Sequence, residues 1–165
     1  AIIGAGPSGL AACKASLEEN LVPTVFEKAA RPGGLWREDG KVWRSLHTNL
    51  SKYTCAFSDF PWHPTAQAFP SASAMREYLN LFTEQKRLCP HIKMSAEVTT
   101  ITPLPHDGLE GQEGTAGWQV TWQEGGANGA KKQKAFQYVV VARWHLRDEP
   151  YGSPLAGQKV WQSHA

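Results

Sequence analysis

The sequence predicts an α/β fold: a Rossmann-like unit of parallel strands and helices, with a three-stranded β-meander attached. Three observations predict it. Apolar Ala1-Ile2-Ile3 runs straight into Gly4-Ala5-Gly6-Pro7-Ser8-Gly9. An acid, Glu27, lies 18 residues beyond Gly9 at the end of a second apolar segment. Late in the chain three β-type segments follow one another, between about residues 97 and 138, before the apolar run Val139-Val140-Val141-Ala142. Strand, glycine turn, helix and placed acid together are the signature of a dinucleotide site.

Each element has its own reason. Gly4 suits the tight turn that ends the first strand, Gly6 lets backbone approach a diphosphate, and Gly9 lets the helix pack closely on the sheet. Leu10-Ala11-Ala12-Cys13-Lys14-Ala15-Ser16-Leu17 has high helix propensity and small side chains. Pro7 falls in the first turn, where its missing N–H costs nothing. Free N–H groups and the macrodipole then favour a diphosphate at the helix start. Pro23-Thr24-Val25-Phe26-Glu27 reads as the second strand. Glu27 at its tip suits a ribose hydroxyl and disfavours a 2′-phosphate, so the site takes the adenosine half of FAD or NAD rather than NADP.

Residues 31–70 carry little periodicity but many aromatics, among them Trp36, Trp43, Tyr53, Phe57, Phe60, Trp62 and Phe69. That content argues against disorder, so the segment is read as ordered loops and short turns over a ligand. Residues 71–88 form a second helix, capped by Ser71 or Ser73, with Met75, Tyr78, Leu79 and Phe82 on one face and Cys89-Pro90 at its end. The meander strands are expected at Glu97 to Thr102, Trp118 to Gln123 and Lys134 to Tyr138, the last two joined through Glu124-Gly125-Gly126-Ala127-Asn128-Gly129. Val139 to Ala142 suits the middle of a parallel sheet.

The bulk numbers narrow the function. The 165 residues suit a single domain, and the net charge of +2 points to neither nucleic acid nor anionic membrane. The three cysteines are few and widely spaced, without a CxxC pair, a disulfide framework or a zinc pattern. A reducing, cytoplasmic location is expected, with no transmembrane segment and no metal. The composition leaves a homo-oligomer open.

GAGPSGL, Glu27, Gly33-Gly34-Leu35-Trp36-Arg37, Thr48-Asn49-Leu50-Ser51-Lys52, Ser58-Asp59-Phe60-Pro61-Trp62 and Phe69-Pro70-Ser71 occur in that order. This series resembles the FAD-binding part of flavin-containing monooxygenases, especially fungal-type members, over nearly the whole chain. The resemblance implies that Gly4, Ala5, Gly6, Pro7, Ser8 and Gly9 bind the FAD diphosphate and Glu27 the adenosine ribose. Gly34, Leu35 and Trp36 would lie along the flavin, with Thr48, Asn49 and Leu50 beside it. The backbone of Val98 would meet the adenine. Asn49 is the candidate catalytic residue, its amide placed to hydrogen-bond a flavin peroxide. A plain core aromatic stays open for Trp36, and an Asx turn for Asn49.

The implied reaction is NADPH reduction of FAD, addition of O2 to give a C4a-hydroperoxide, and oxygen transfer to a small-molecule nitrogen or sulfur nucleophile. None of the scattered histidines is assigned to catalysis. Family members continue to a second, NADPH-binding fingerprint, so the expectation is a single FAD-binding domain over residues 1–165 and a fragment or truncated form. Arg143-Trp144 stands where a small turn is expected, and the tail Leu155 to His164 resembles the family's F-x-G…H-S signature with Leu155 and Gln162 substituted. Three rivals remain: a non-catalytic FAD-binding module, a Baeyer–Villiger monooxygenase acting on ketones, and an NAD domain without flavin.

Overall fold

The computed structural model describes residues 1–105, 115–125 and 129–143. The expected Rossmann-like arrangement is present as three layers: two helices, a four-stranded parallel sheet and a three-stranded antiparallel sheet. Strand β1 (Ile2–Ile3) leads into helix α1 (Pro7–Glu18) and β2 (Val25–Phe26). A long loop holding a 3₁₀ turn at Gly34–Trp36 precedes α2 (Ala72–Gln85). Strands β3 (Ile92–Lys93), β4 (Ala96–Pro105), β5 (Thr115–Glu124), β6 (Lys131–Phe136) and β7 (Val140–Val141) follow. The parallel sheet has the order β3-β2-β1-β7, and the meander β4-β5-β6.

Strand alternation explains the layering, because successive side chains leave a strand on opposite faces. Ile2 and Val25 pair in register and face the helices, packing with Leu10 and Cys13 of α1 and Tyr78, Leu79 and Phe82 of α2. Their neighbours Ile3 and Phe26 face the meander, against Ala96, Val120 and Trp122. Phe26 meets Trp122 at 4.8 Å between ring centroids and Phe136 edge-on at 5.9 Å. One short parallel pair therefore separates two cores. Ser71 caps α2, its hydroxyl accepting from the Ala74 N–H at 3.2 Å, as the sequence suggests.

Several expectations need correction. The edge strand β3 is absent from the sequence reading, since Ile92-Lys93 is too short to show a period. Helix α2 stops at Gln85 rather than 88, where Arg87 adopts a positive φ of 55° and Cys89–His91 forms a 3₁₀ turn. β4 runs to Pro105, past the expected Thr102. β6 is displaced towards Lys131, because Lys131 to Lys134 pair with Gln123 back to Val120. An outer strand tolerates such lysines on its open side. β7 is not central: among the described residues it pairs with β1 alone, and Val141 is 56% exposed. An apolar run reports the character of a strand's faces, not how many neighbours it has. Gly126 to Asn128 of the hairpin, Trp144 and the tail signature lie outside the described residues.

Candidate functional site

The glycine fingerprint adopts a geometry that only glycines allow at two of its three places. Gly4 has φ +101°, and a β-carbon there would lie 2.8 Å from the Ala142 carbonyl oxygen. A β-carbon on Gly9 would fall 1.8 Å from the Gly4 carbonyl oxygen, so helix and turn touch through bare backbone. Gly6 differs. Its backbone is ordinary and extended, and an added β-carbon would meet nothing nearer than Gly34 Cα at 3.7 Å. The space beside Gly6 is thus an open cradle that a side chain would fill.

The donors of that cradle are unspent. Gly6 caps α1 without a side-chain partner, and the first intrahelical bond is Leu10 N–H to the Gly6 carbonyl at 2.9 Å. The N–H groups of Ser8 and Gly9 therefore have no acceptor among the described residues. No acidic side chain occupies the first turn to satisfy the dipole. Ala5 plays another part. It is fully buried, its N–H donates to Glu27 Oε2 at 2.8 Å, and its carbonyl accepts from Gly33 N–H at 2.8 Å. Ala5 holds the turn in shape and has no polar group left for a phosphate. Pro7 begins the helix and Ser8 is exposed at its end.

Glu27 sits at the tip of β2, 5% exposed. Besides Ala5, its carboxylate accepts from the Ala29 N–H at 2.9 Å through Oε1. Each carboxylate oxygen keeps a further lone pair, so a ribose hydroxyl can still be received. The Glu27 carbonyl accepts from Ala96 N–H, which starts β4 at this point. Val98 lies two residues along β4, half-buried, just before a register shift between Val98 and Thr100.

The 3₁₀ turn Gly34–Trp36 joins the cradle to a second space. Gly33 and Gly34 have φ of +113° and +57°, and a β-carbon on Gly34 would lie 2.9 Å from Gly6 Cα. From the same turn, Trp36 lines a cleft of about 420 Å³ with Leu46, His47, Thr48, Asn49, Leu50 and Cys55. Four residues selected from the sequence, Trp36, Thr48, Asn49 and Leu50, thus meet in one concavity. Thr48 fixes its floor: its N–H donates to the Pro70 carbonyl at 2.9 Å and its hydroxyl to the Leu50 carbonyl at 2.7 Å. Asn49 is exposed, and its side chain has no hydrogen-bond partner among the described residues, so no Asx turn consumes its amide. Leu35 is half exposed on the outer side of the turn.

The residues that shape this cleft from behind escaped the sequence reading as functional. The Tyr78 hydroxyl accepts from Phe57 N–H at 2.7 Å and donates to the Phe60 carbonyl at 2.6 Å. Burial pushes its pKa up. Trp62 stacks on Tyr78 with centroids 4.3 Å apart, and its indole N–H donates to the Cys55 carbonyl at 2.7 Å. The Cys55 thiol, raised in pKa by burial, meets Met75 Sδ at 3.9 Å. In sequence Tyr78 and Met75 read as a core stripe; the Tyr78 hydrogen bonds to loop backbone and the Cys55–Met75 contact carry no sequence signal.

The family model described as flavin-binding monooxygenase-like matches residues 1–151. The chain belongs to that family. Flavin-containing monooxygenase 3 of Macaca mulatta is 36% identical over 152 residues, covering 88% of this chain and 27% of that protein. The chain thus spans about a quarter of the length of such relatives. Among solved structures, S-allyl-L-cysteine S-oxygenase from Allium sativum superposes with TM-score 0.69 at 25% identity, over 85% of this chain and 35% of that one. An open crystal structure of cyclohexanone monooxygenase gives TM-score 0.69 at 26% identity, over 86% and 25%. Membership in a flavin-binding family brings FAD as the cofactor. The bare cradle at Gly6, the unpaired amides of Ser8 and Gly9 and the adjoining aromatic cleft fit FAD on their own geometry. No helix among the described residues is long and apolar enough to cross a membrane.

Proposed function

We propose that the chain forms the FAD-binding part of an NADPH-using monooxygenase that transfers one oxygen atom of O2 to a soft nitrogen or sulfur nucleophile. The observation that carries this reading is the Gly34–Trp36 turn. It lies against Gly6 on one side and lines the cleft on the other, so one elongated coenzyme can reach from the diphosphate cradle to Trp36 and Asn49. Bound FAD would supply hydride acceptance and O2 activation. The chain's own residues bind and orient. The amides of Ser8 and Gly9 take the diphosphate, Glu27 takes the adenosine ribose, and the Trp36 indole covers a ring face. The unpartnered Asn49 amide donates a hydrogen bond into the cleft, a preorganised donor for an oxygen atom. The free cysteines Cys13, Cys55 and Cys89 support a cytoplasmic placement.

A second reading, oxygen insertion into ketones, is favoured by the equal superposition on cyclohexanone monooxygenase. Purified chain is first examined for flavin absorbance near the visible blue, then mixed with NADPH anaerobically. Yellow colour is the expected result for the chain by itself; bleaching, followed on aeration by sulfoxide from a thioether and none of the lactone from cyclohexanone, is expected once the chain is joined to an NADPH-binding part. Lactone without sulfoxide selects the second reading. Joined protein that stays yellow makes the chain a flavin-binding module, and colourless protein that takes up no added FAD overturns the site itself.

A further inference from the structure

Arg37 follows the Gly34–Trp36 turn, and its side chain folds back over it rather than into solvent. The whole side chain is only 17% exposed. The Cγ atom packs over Gly33, 3.5 Å from where a β-carbon of that glycine would stand. Nε donates to Asp39 Oδ1 at 2.9 Å, which fixes the plane of the guanidinium. Nη1 stands 3.8 Å from Glu27 Oε1, too far for a hydrogen bond but close enough to pair charge. No other lysine or arginine among the described residues pairs with Glu27. The terminal N–H groups of Arg37 have no hydrogen-bond acceptor among the described residues. A cation held on one edge by a carboxylate, with its free edge turned to a buried acid, is a fork waiting for an acceptor.

We propose that Arg37 is a cofactor-binding residue that grips the adenosine-diphosphate half of FAD, donating to diphosphate or ribose oxygens between Glu27 and the Gly6 cradle. The proposal rests on the reading of the site given above. Electrostatics favours it on two counts. The diphosphate brings negative charge to a helix start whose first turn carries no compensating cation. Glu27 is itself an anion at the same place, so an unbalanced site would repel its ligand, and Arg37 offsets both. Asp39, itself 74% exposed, orients the guanidinium without entering the site.

The test strips flavin from the full chain and titrates FAD by fluorescence quenching, with ADP as competitor. Arg37→Ala should weaken FAD about tenfold, the loss of one charge-assisted hydrogen bond, and weaken ADP by the same factor, because ADP carries only the half that Arg37 touches. Arg37→Lys should restore part of both. Asp39→Asn, at an exposed position, should cost both ligands about two- to threefold and leave the thermal midpoint of the free protein unchanged. A loss for FAD without a matching loss for ADP would show that Arg37 acts through the shape of the Trp36 cleft and would overturn the proposal. Unaltered affinity for both would do the same. Should wild-type chain bind neither ligand, the failure belongs to the proposed function and not to Arg37.

Discussion

The cradle and the cleft are neighbours built by opposite means. Around Gly6 the structure depends on side chains being missing: Gly4, Gly9 and Gly34 each bring backbone against backbone at distances no β-carbon permits. In the loop that follows Asn49 it depends on side chains being present, since backbone at Phe57, Phe60, Pro64 and Ala66 is bonded to Tyr78 and Lys52 rather than to a sheet. The lesson concerns what breaks each. Atoms added to the cradle destroy it, whereas atoms removed from behind the cleft loosen it.

The contrast is sharpest inside the cradle itself. Gly9→Ala forces a β-carbon to 1.8 Å from the Gly4 carbonyl oxygen, a backbone atom that cannot swing aside. It should cost about 3 kcal/mol or more of unfolding free energy, read as a lower urea midpoint. Gly6→Val adds its atoms to open space beside Gly34. Its urea midpoint should stay near that of wild type while flavin retention disappears. If Gly6→Val kept its flavin, the diphosphate would not lie there.

Behind the cleft the expected losses are smaller. Tyr78→Phe leaves Phe57 N–H and the Phe60 carbonyl without their shared hydroxyl, and should cost about 1–3 kcal/mol in denaturant titration. The ring stacking on Trp62 and Phe57 survives in that variant, so a null effect would mean the hydroxyl is replaceable by water. Lys52→Met removes the ammonium that donates to the Pro64 and Ala66 carbonyls at 2.7 and 2.8 Å. About 1–2 kcal/mol is expected, partly recovered by the buried methionine stem.

The same contrast decides what could be read from the chain alone. A backbone-built site writes itself as glycine spacing, so Gly4, Gly6, Gly9 and the acid Glu27 were legible before any coordinates. Trp36 and Asn49 were reached through resemblance of motifs, and the structure brings them together with Thr48 and Leu50. Arg37 lies within a motif but has no role legible in sequence, because its pairing with Glu27 depends on the loop folding back across ten residues. Tyr78, Lys52 and Trp62 hold irregular backbone through bonds whose partners have no fixed spacing. β3 and the single described neighbour of β7 are hidden from sequence for a related reason: two-residue strands have no period, and neighbour number is a property of the sheet. The central pair Ile2-Ile3 and Val25-Phe26 shows the reverse, with four apolar residues dividing between two cores as alternation requires.

The smallest effect lies where the aromatic loop meets the two helices. Asp59 in the aromatic loop accepts from Lys86, the residue that caps the end of α2, at 2.6 Å and pairs with Lys14 of α1 at 3.0 Å. The hydrogen bond from Lys86, then that from Lys14, holds its carboxyl down to about 2, against an ordinary value of 3.8. A carboxyl with a depressed folded-state pKa stabilises the fold above its unfolded value and loses that contribution as pH falls through the folded one. The window is therefore from about pH 4 down to about pH 2. Asp59→Asn should flatten the stability of the chain across that window and leave the slope above pH 5 unaltered. Because the Asp59 carboxylate is open to solvent, the difference should shrink on adding salt. A slope that persists in Asp59→Asn would transfer the acid sensitivity to the other carboxyls whose pKa values a cation holds down, Asp39 beside Arg37 and Glu124 beside Lys132.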